Sequence, residues 1–334
     1  MIKHLPWANL PHHPLGHWPT PLTPLDRLSE ELNGPRVWLK RDDCSGLALG
    51  GNKTRKLEYL IGDALAQKAD TVITYGAIQS NHARQTAAAC AKAGLNCHLI
   101  LTRTVNNTHP AYTTSGNVLL GRLTGAKQHI VAPEDAKFYG SKLVETLRST
   151  GANVYVIPAG GSNTVGAMGY ARCAEELHNQ SNDMNLKLDF IMHASSSAGT
   201  QAGLMFGLQQ LKRATTVVGI NVYHQNPQKL VNQVKHLNEG LRQKFSPVPS
   251  AVTEVNVNHA YMGKAYGQAT QSCIEAIKLA ARLEGLIFDP VYSGKALAAM
   301  IDQINLGNLN HYSDVVLIHT GGSPALFVYD DQLV

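Results

Sequence analysis

Short apolar runs alternate with helix-patterned stretches along nearly the whole chain. Residues 37–39, 71–75, 97–101, 129–131, 154–157, 189–193, 217–222 and 315–319 read as strands. Between them apolar positions recur at helical spacing, as at Leu57, Leu60, Ile61, Ala64 and Leu65, and an alanine-rich helix runs through Ala93. Continuous apolar strands that each lead into a helix predict parallel sheets covered on both faces. The proline-rich amino-terminal stretch predicts a lead-in that wraps the surface, extended over residues 20–25. The pattern therefore predicts an α/β protein with two open parallel-sheet units and helices on both faces. A site would lie in the cleft between them.

Composition narrows the class. The 334 residues suffice for a large core, and only 16% are charged, against roughly 25% in ordinary soluble domains. That implies much hidden surface and agrees with an oligomer. The net charge of +5 is mild and its lysines and arginines are dispersed, so nothing points to nucleic acid. No stretch approaches the ~20 apolar residues that span a bilayer. The opening Met1-Ile2-Lys3-His4-Leu5-Pro6-Trp7 lacks an apolar leader. Five scattered cysteines without a C-x-x-C pair suggest neither zinc nor a disulfide scaffold and fit a reducing cytoplasm. His12, His13 and His17 lie among prolines without nearby Cys, Asp or Glu, so no metal is expected there.

The candidate chemistry lies at strand ends. Gly50-Gly51-Asn52-Lys53-Thr54-Arg55-Lys56 places a lysine on a glycine turn after Lys40-Arg41-Asp42-Asp43. Besides an ordinary solvated role, such a lysine can grip a phosphate or form a Schiff base with an aldehyde. A P-loop is excluded because Asn52 stands between Gly51 and Lys53-Thr54, one residue out of frame. Gln79-Ser80-Asn81-His82 follows one strand and opens a helix, with Asn81 a candidate helix cap. Ser195-Ser196-Ser197-Ala198-Gly199-Thr200 offers successive backbone N–H groups at a helix start, which is the make-up of a phosphate cup. His319-Thr320-Gly321-Gly322 and Asp289-Pro290-Val291-Tyr292-Ser293-Gly294-Lys295 complete the set. A lysine on a glycine turn, a phosphate cup and no metal set suggest a phosphorylated aldehyde cofactor, for which pyridoxal phosphate fits.

Taken in order from about Leu22 to Val328, these motifs resemble the D-cysteine desulfhydrase and 1-aminocyclopropane-1-carboxylate (ACC) deaminase family. It belongs to the tryptophan synthase β-like group of fold type II pyridoxal-phosphate enzymes. The resemblance implies a homodimer acting on a small amino acid, with 1–55 and 165–334 as its large cofactor-binding domain and 56–164 as a smaller inserted α/β domain. It implies that Lys53 bonds the cofactor and moves the substrate α-proton, and that Asn81 faces the ring's phenolic oxygen. Lys56, Ser196, Ser197, Ala198, Gly199 and Thr200 would hold the phosphate. Ser80, with Gln79 and His82, would receive the substrate carboxylate or assist proton transfer. Tyr292 would stack on the ring, with Tyr266 near the substrate. Ser293, with Thr320, would face the pyridine nitrogen where ACC deaminases resemble Tyr-Glu-Gly-Lys. A carboxylate there strengthens the electron sink, whereas a hydroxyl gives only a neutral hydrogen bond. Ser293 thus favours β-elimination over cyclopropane opening, and D-cysteine as substrate giving pyruvate, ammonia and sulfide. Alternatives are L-cysteate sulfo-lyase, for which Arg103, His109 and Thr114 are candidate sulfonate groups, ACC deaminase, and a non-catalytic cofactor carrier.

Overall fold

In the computed structural model, which describes residues 5–245 and 254–333, ten strands form two separate sheets. Residues 1–4, the start of the segment read as lacking a leader, lie outside the described residues, as does Val334. The strands are β1 (Leu22–Pro24), β2 (Arg36–Lys40), β3 (Thr71–Ala77), β4 (Asn96–Thr102), β5 (Lys127–Val131), β6 (Val154–Ile157), β7 (Phe190–Ser195), β8 (Thr216–Asn221), β9 (Asn256–Asn258) and β10 (Asp314–Ile318). The larger sheet has the order β1-β2-β10-β7-β8-β9 and the smaller β5-β4-β3-β6. All pairings are parallel except β1 with β2. Antiparallel β1 carries Pro24 at an edge, where its missing N–H breaks no ladder. The eight strands read from sequence are thus present within two residues of their expected ends, whereas β1 and β9 are three-residue edge strands too short to leave a pattern.

Alternate side chains of the central strands enter two separate cores. Val316 and Ile318 of β10 join Ile191 in one cluster, while Val315 and Leu317 join Phe190 and Met192 in the other. Because both faces are covered, β10 reads as an unbroken apolar run, each such side chain contributing about 1.5–3 kcal/mol on burial. The helices are α1 (Asp26–Leu32), α2 (Lys53–Ala66), α3 (Asn81–Ala93), α4 (Gly116–Leu123), α5 (Ala136–Ser149), α6 (Thr164–Asp183), α7 (Gly199–Gln210), α8 (Pro227–Phe245), α9 (Gln271–Glu284), α10 (Ser293–Asn305) and α11 (Asp330–Leu333). Helices α6 and α7 pack at backbone distance through Gly203 and Gly207. A Cβ on these residues would lie 2.2 Å from the Ala167 carbonyl and 2.6 Å from that of Ala171. Among the described residues no helix is long and apolar enough to cross a membrane, and the five cysteines are free.

Candidate active site

The carboxyl ends of the strands face a cavity of about 580 Å³ lined from both sheets. Lys53 reaches it from the first position of α2. The preceding loop holds four successive residues at positive φ, namely Ala48, Leu49, Gly50 and Gly51. A Cβ at Gly50 would lie 1.8 Å from the Asp43 carbonyl, so only glycine fits there. Ala48 and Leu49 bear the left-handed geometry at a cost of about 1–2 kcal/mol each. The loop is fixed from two sides. Ser45 Oγ donates to the Gly51 carbonyl and accepts from its N–H, while Arg84 Nη1 donates to the carbonyls of Ala48 and Gly50 at 2.6 and 2.8 Å. Lys53 Nζ donates to Asn52 Oδ1. Burial, helped by the nearby Arg84 charge, pulls its amine down to about 8, so an appreciable neutral fraction exists near neutral pH.

Opposite, β7 ends in Ser195 and the chain turns through Ser196, Ser197 and Ala198 into α7, with Ala198 at φ 66°. The Gly199 N–H donates to Ser162 Oγ, which itself donates to Ser197 Oγ at 2.9 Å. Lys56 Nζ donates to the Gly160 carbonyl and Ser162 Oγ at 3.2 and 3.1 Å. Burial and the neighbouring Lys53 hold its amine well below the ordinary lysine value. These residues fit a phosphorylated aldehyde. Half-buried Lys53 lines the cavity and buried Lys56 stands beside the Gly199 turn, while among the described residues no Asp or Glu lines the cavity, so an anionic group suits this end. Small residues keep the cup open, and Ser195 Oγ, buried on its wall, has no partner.

The β3-to-α3 turn forms a second wall with Ser80, Asn81 and His82. Ser80, rather than Asn81, caps α3, accepting the Ala83 N–H at 3.1 Å, and Asn81 Oδ1 accepts from Asn117 Nδ2. His82 is placed as an acceptor. Thr74 Oγ1 gives its proton to the Ile157 carbonyl and therefore accepts from His82 Nε2. This leaves Nδ1 bare, buried and unpartnered. Burial beside Lys53 and Lys56 keeps the ring neutral, which leaves the bare Nδ1 as an acceptor rather than a donor. Gln79 is placed apart from Ser80, Asn81 and His82. Its amide donates to the Tyr112 and Ser115 carbonyls and accepts from the Asn117 N–H, and it lies outside the main cavity.

Tyr266 and Tyr292 both line the cavity and hydrogen-bond each other through their hydroxyls. Burial pushes both phenols well above the ordinary tyrosine value, with Tyr292 adding to the rise at Tyr266 and the Asp289 charge adding to that at Tyr292, so each keeps its proton. Thr320 is on the wall and its carbonyl accepts the Asn52 N–H. Ser293 is not on it. Its hydroxyl donates to Asp289 Oδ1 at 2.6 Å and accepts the Asp289 N–H, so Thr320 presents the hydroxyl at this end of the cavity. The Asp289 carboxylate also accepts the Val291, Tyr292 and Ser293 N–H groups, setting the turn that carries Tyr292.

Sequence reasoning missed the roles of Asp289 and Asn117 in holding the turns of Tyr292 and Asn81, and the cavity-lining residues Ser162, Tyr223, His224 and His236. Ser162 follows strand β6 in Gly160-Gly161-Ser162-Asn163, a small-residue strand end of the same kind as those recognised elsewhere. His224 ties the mouth to the cup through Nε2 and the Ser196 carbonyl at 2.8 Å. Arg103, His109 and Thr114 do not line the cavity, and His109 pairs with Asp330 at 3.0 Å. Among the described residues no group of three or more His, Cys, Asp or Glu side chains is arranged to hold a metal.

Residues 14–321 match the family described as pyridoxal-phosphate dependent enzyme. The chain is 42% identical over 318 residues to a D-cysteine desulfhydrase of Serratia proteamaculans, with 94% of each chain covered. It is 40% identical over 330 residues to a 1-aminocyclopropane-1-carboxylate deaminase of Burkholderia lata, covering 96% of this chain and 97% of that one. A solved ACC deaminase homologue superimposes with a TM-score of 0.87 at 35% identity, covering 98% and 97%. A family match over residues 14–321 and relatives at 40–42% identity along nearly the whole chain show that the chain belongs to the pyridoxal-phosphate dependent enzymes.

Proposed function

We propose that the protein is a lyase that eliminates the β-substituent of a small amino acid, with D-cysteine converted to pyruvate, ammonia and hydrogen sulfide. When bound, pyridoxal phosphate supplies an electron sink for the bonds at the substrate α-carbon. Lys53 would hold its aldehyde carbon, and once the substrate amine has displaced it the freed Lys53 amine would take the α-proton. Lys56, the Ser196–Thr200 backbone and Ser162 bind the phosphate. Ser80 and Asn81 orient the substrate and the ring edge. In the Tyr266–Tyr292 pair one hydroxyl donates to the other, which leaves one O–H to protonate the departing sulfur. The water of the reaction enters when the released aminoacrylate hydrolyses.

A single observation carries the choice of elimination, namely that no Asp or Glu lines the cavity among the described residues. The hydroxyl available at the Ser293–Thr320 end is that of Thr320, a neutral partner for a ring nitrogen. A neutral partner leaves a weaker sink, sufficient for a β-carbon with a good leaving group and poor for an unactivated cyclopropane. The 42% identical relative named D-cysteine desulfhydrase supports the substrate. L-cysteate is the second reading, favoured because the ionisable residues on the cavity wall are lysine, histidine and tyrosine, with no anion to repel a sulfonate. Purified protein given D-cysteine, L-cysteine, L-cysteate and ACC is expected to release sulfide and pyruvate from D-cysteine fastest. Sulfite from L-cysteate as the main product would replace the substrate, and α-ketobutyrate from ACC alone would overturn the elimination reading.

A homodimer in the cytoplasm, and the division into residues 1–55 with 165–334 and 56–164, belong to the same proposal. The cup gives a further expected result. A Cβ at Gly199 would lie 2.5 Å from Ser162 Oγ and 2.9 Å from Lys56 Nζ. Gly199→Ala therefore overfills the phosphate position at about 1–3 kcal/mol, roughly a five- to 150-fold loss of cofactor affinity. Absorbance titration of the cofactor-free protein measures it, and unchanged affinity would place the phosphate elsewhere.

A further inference from the structure

Arg84, the fourth residue of α3, is buried to 0% exposure and meets no acid among the described residues. Its Nη1 donates to the Ala48 and Gly50 carbonyls and its Nε to Asn117 Oδ1 at 3.0 Å. Its Nη2 is buried without a partner among the described residues. Buried cations are ordinarily paired, because an uncompensated charge in a low-dielectric interior is costly. Here the cost is borne beside the loop that carries Lys53. Asn117 extends the contact, since its amide donates to the Gln79 carbonyl and Asn81 Oδ1 on the facing turn. One guanidinium thereby ties the glycine loop, the 112–117 segment and the Ser80–His82 turn together.

We propose that Arg84 is a positioning residue for Lys53, its guanidinium clamping the loop that delivers the lysine while holding an unneutralised positive charge behind it. The proposal rests on Lys53 being the cofactor-bearing lysine. The charge has a direction of action. Burial pulls the guanidinium down to about 9, which leaves it cationic at neutral pH, and its field adds to burial in favouring the neutral form of the Lys53 amine. The other titratable groups acting on or with Lys53 are Lys56 along α2, His82 from α3 and His193 from β7, the two histidines held neutral by burial. Arg84 is therefore the fixed cation of the set, and it does not line the cavity where a ligand could neutralise it.

Three variants separate clamp from charge. Arg84→Gln and Arg84→Met remove the charge by two routes, so a failure of one to fold leaves the other, and Arg84→Lys keeps the charge but loses the fork. Competitive amine labelling of the cofactor-free full chain, read at the Lys53 peptide across pH, reports the amine directly. The neutral variants are expected to raise the labelling midpoint so that reactivity at pH 7 falls roughly tenfold, equivalent to one pKa unit. Arg84→Lys is expected to hold the midpoint near that of the unsubstituted protein. The acid limb of kcat in the cofactor-loaded enzyme should move with the midpoint. An unmoved midpoint in a folded neutral variant, or an equal rise in all three, overturns the proposal. Borohydride reduction of the loaded enzyme with peptide mapping tests the underlying reading separately, because a label absent from Lys53 would remove that reading whatever Arg84 does.

Discussion

Changing Lys53 to alanine is expected to cut turnover on the order of 10⁴-fold or more, because one amine serves both as covalent holder of the cofactor and as proton carrier. The fold should survive. Lys53 is the first residue of α2, alanine has the highest helix propensity, and the side chain's one hydrogen bond is to its neighbour Asn52. Removing a cation held against its preference should leave stability equal or slightly raised. Turnover, thermal melting and borohydride mapping on the same preparation make the result unambiguous. Partial rescue by added small primary amines would identify the missing proton carrier. Turnover within tenfold of the unsubstituted protein, or a reduced label at Lys56, would show that another lysine holds the cofactor.

How much of this was legible in the chain depends on which physical force sets each feature. The two sheets were, because strands buried on both faces are unbroken apolar runs, and β10 with β7 could hardly be anything else. The cup and the lysine turn were also legible, since close approach to a ligand demands small residues in sequence order. Polar residues were less readable because their roles depend on partners distant in the chain. Gln79 looks like a ligand group beside Ser80, yet its amide is consumed by Tyr112, Ser115 and Asn117. Ser293 sits at the expected turn, but Asp289, four residues earlier, takes its hydroxyl. Arg84 carries no signature at all. A guanidinium that clamps backbone carbonyls looks in sequence like any charge on an alanine-rich helix, and only its burial against residues 48–50 reveals it.

Arg55→Met is expected to destabilise the protein by about 3–5 kcal/mol, the range for breaking a buried ion pair from one side. Arg55 lies two residues beyond Lys53 and is fully buried. It donates to both Asp42 oxygens at 2.8 and 2.9 Å, to Glu176 at 2.8 and 3.1 Å and to Thr20 Oγ1, with its plane 4.2 Å from the Trp18 ring. It thus pins the first turn of α2 to the end of β2, to α6 and to the amino-terminal arm. Burial alone would raise the Asp42 and Glu176 carboxyls, but Arg55 and Lys40 together, with the Tyr170 hydroxyl at Asp42, outweigh it and hold both below their ordinary values. A depressed carboxyl contributes stability above its unfolded pKa and loses it as pH falls through the folded value, so this clasp acts fully at neutral pH and fades below about pH 4. Methionine matches the stem and removes the charge, leaving two buried carboxylates that share Lys40, which reaches Glu176 at 2.5 Å. Burial then dominates and raises their pKa, so the variant gains relative stability on acidification while the unsubstituted protein loses it. Urea midpoints measured at neutral pH and again near pH 4 should show the deficit shrinking with acid. A deficit of the same size at both would mean that methionine costs stability through lost packing against Trp18 and Tyr170, and that the ion pairs contribute nothing net.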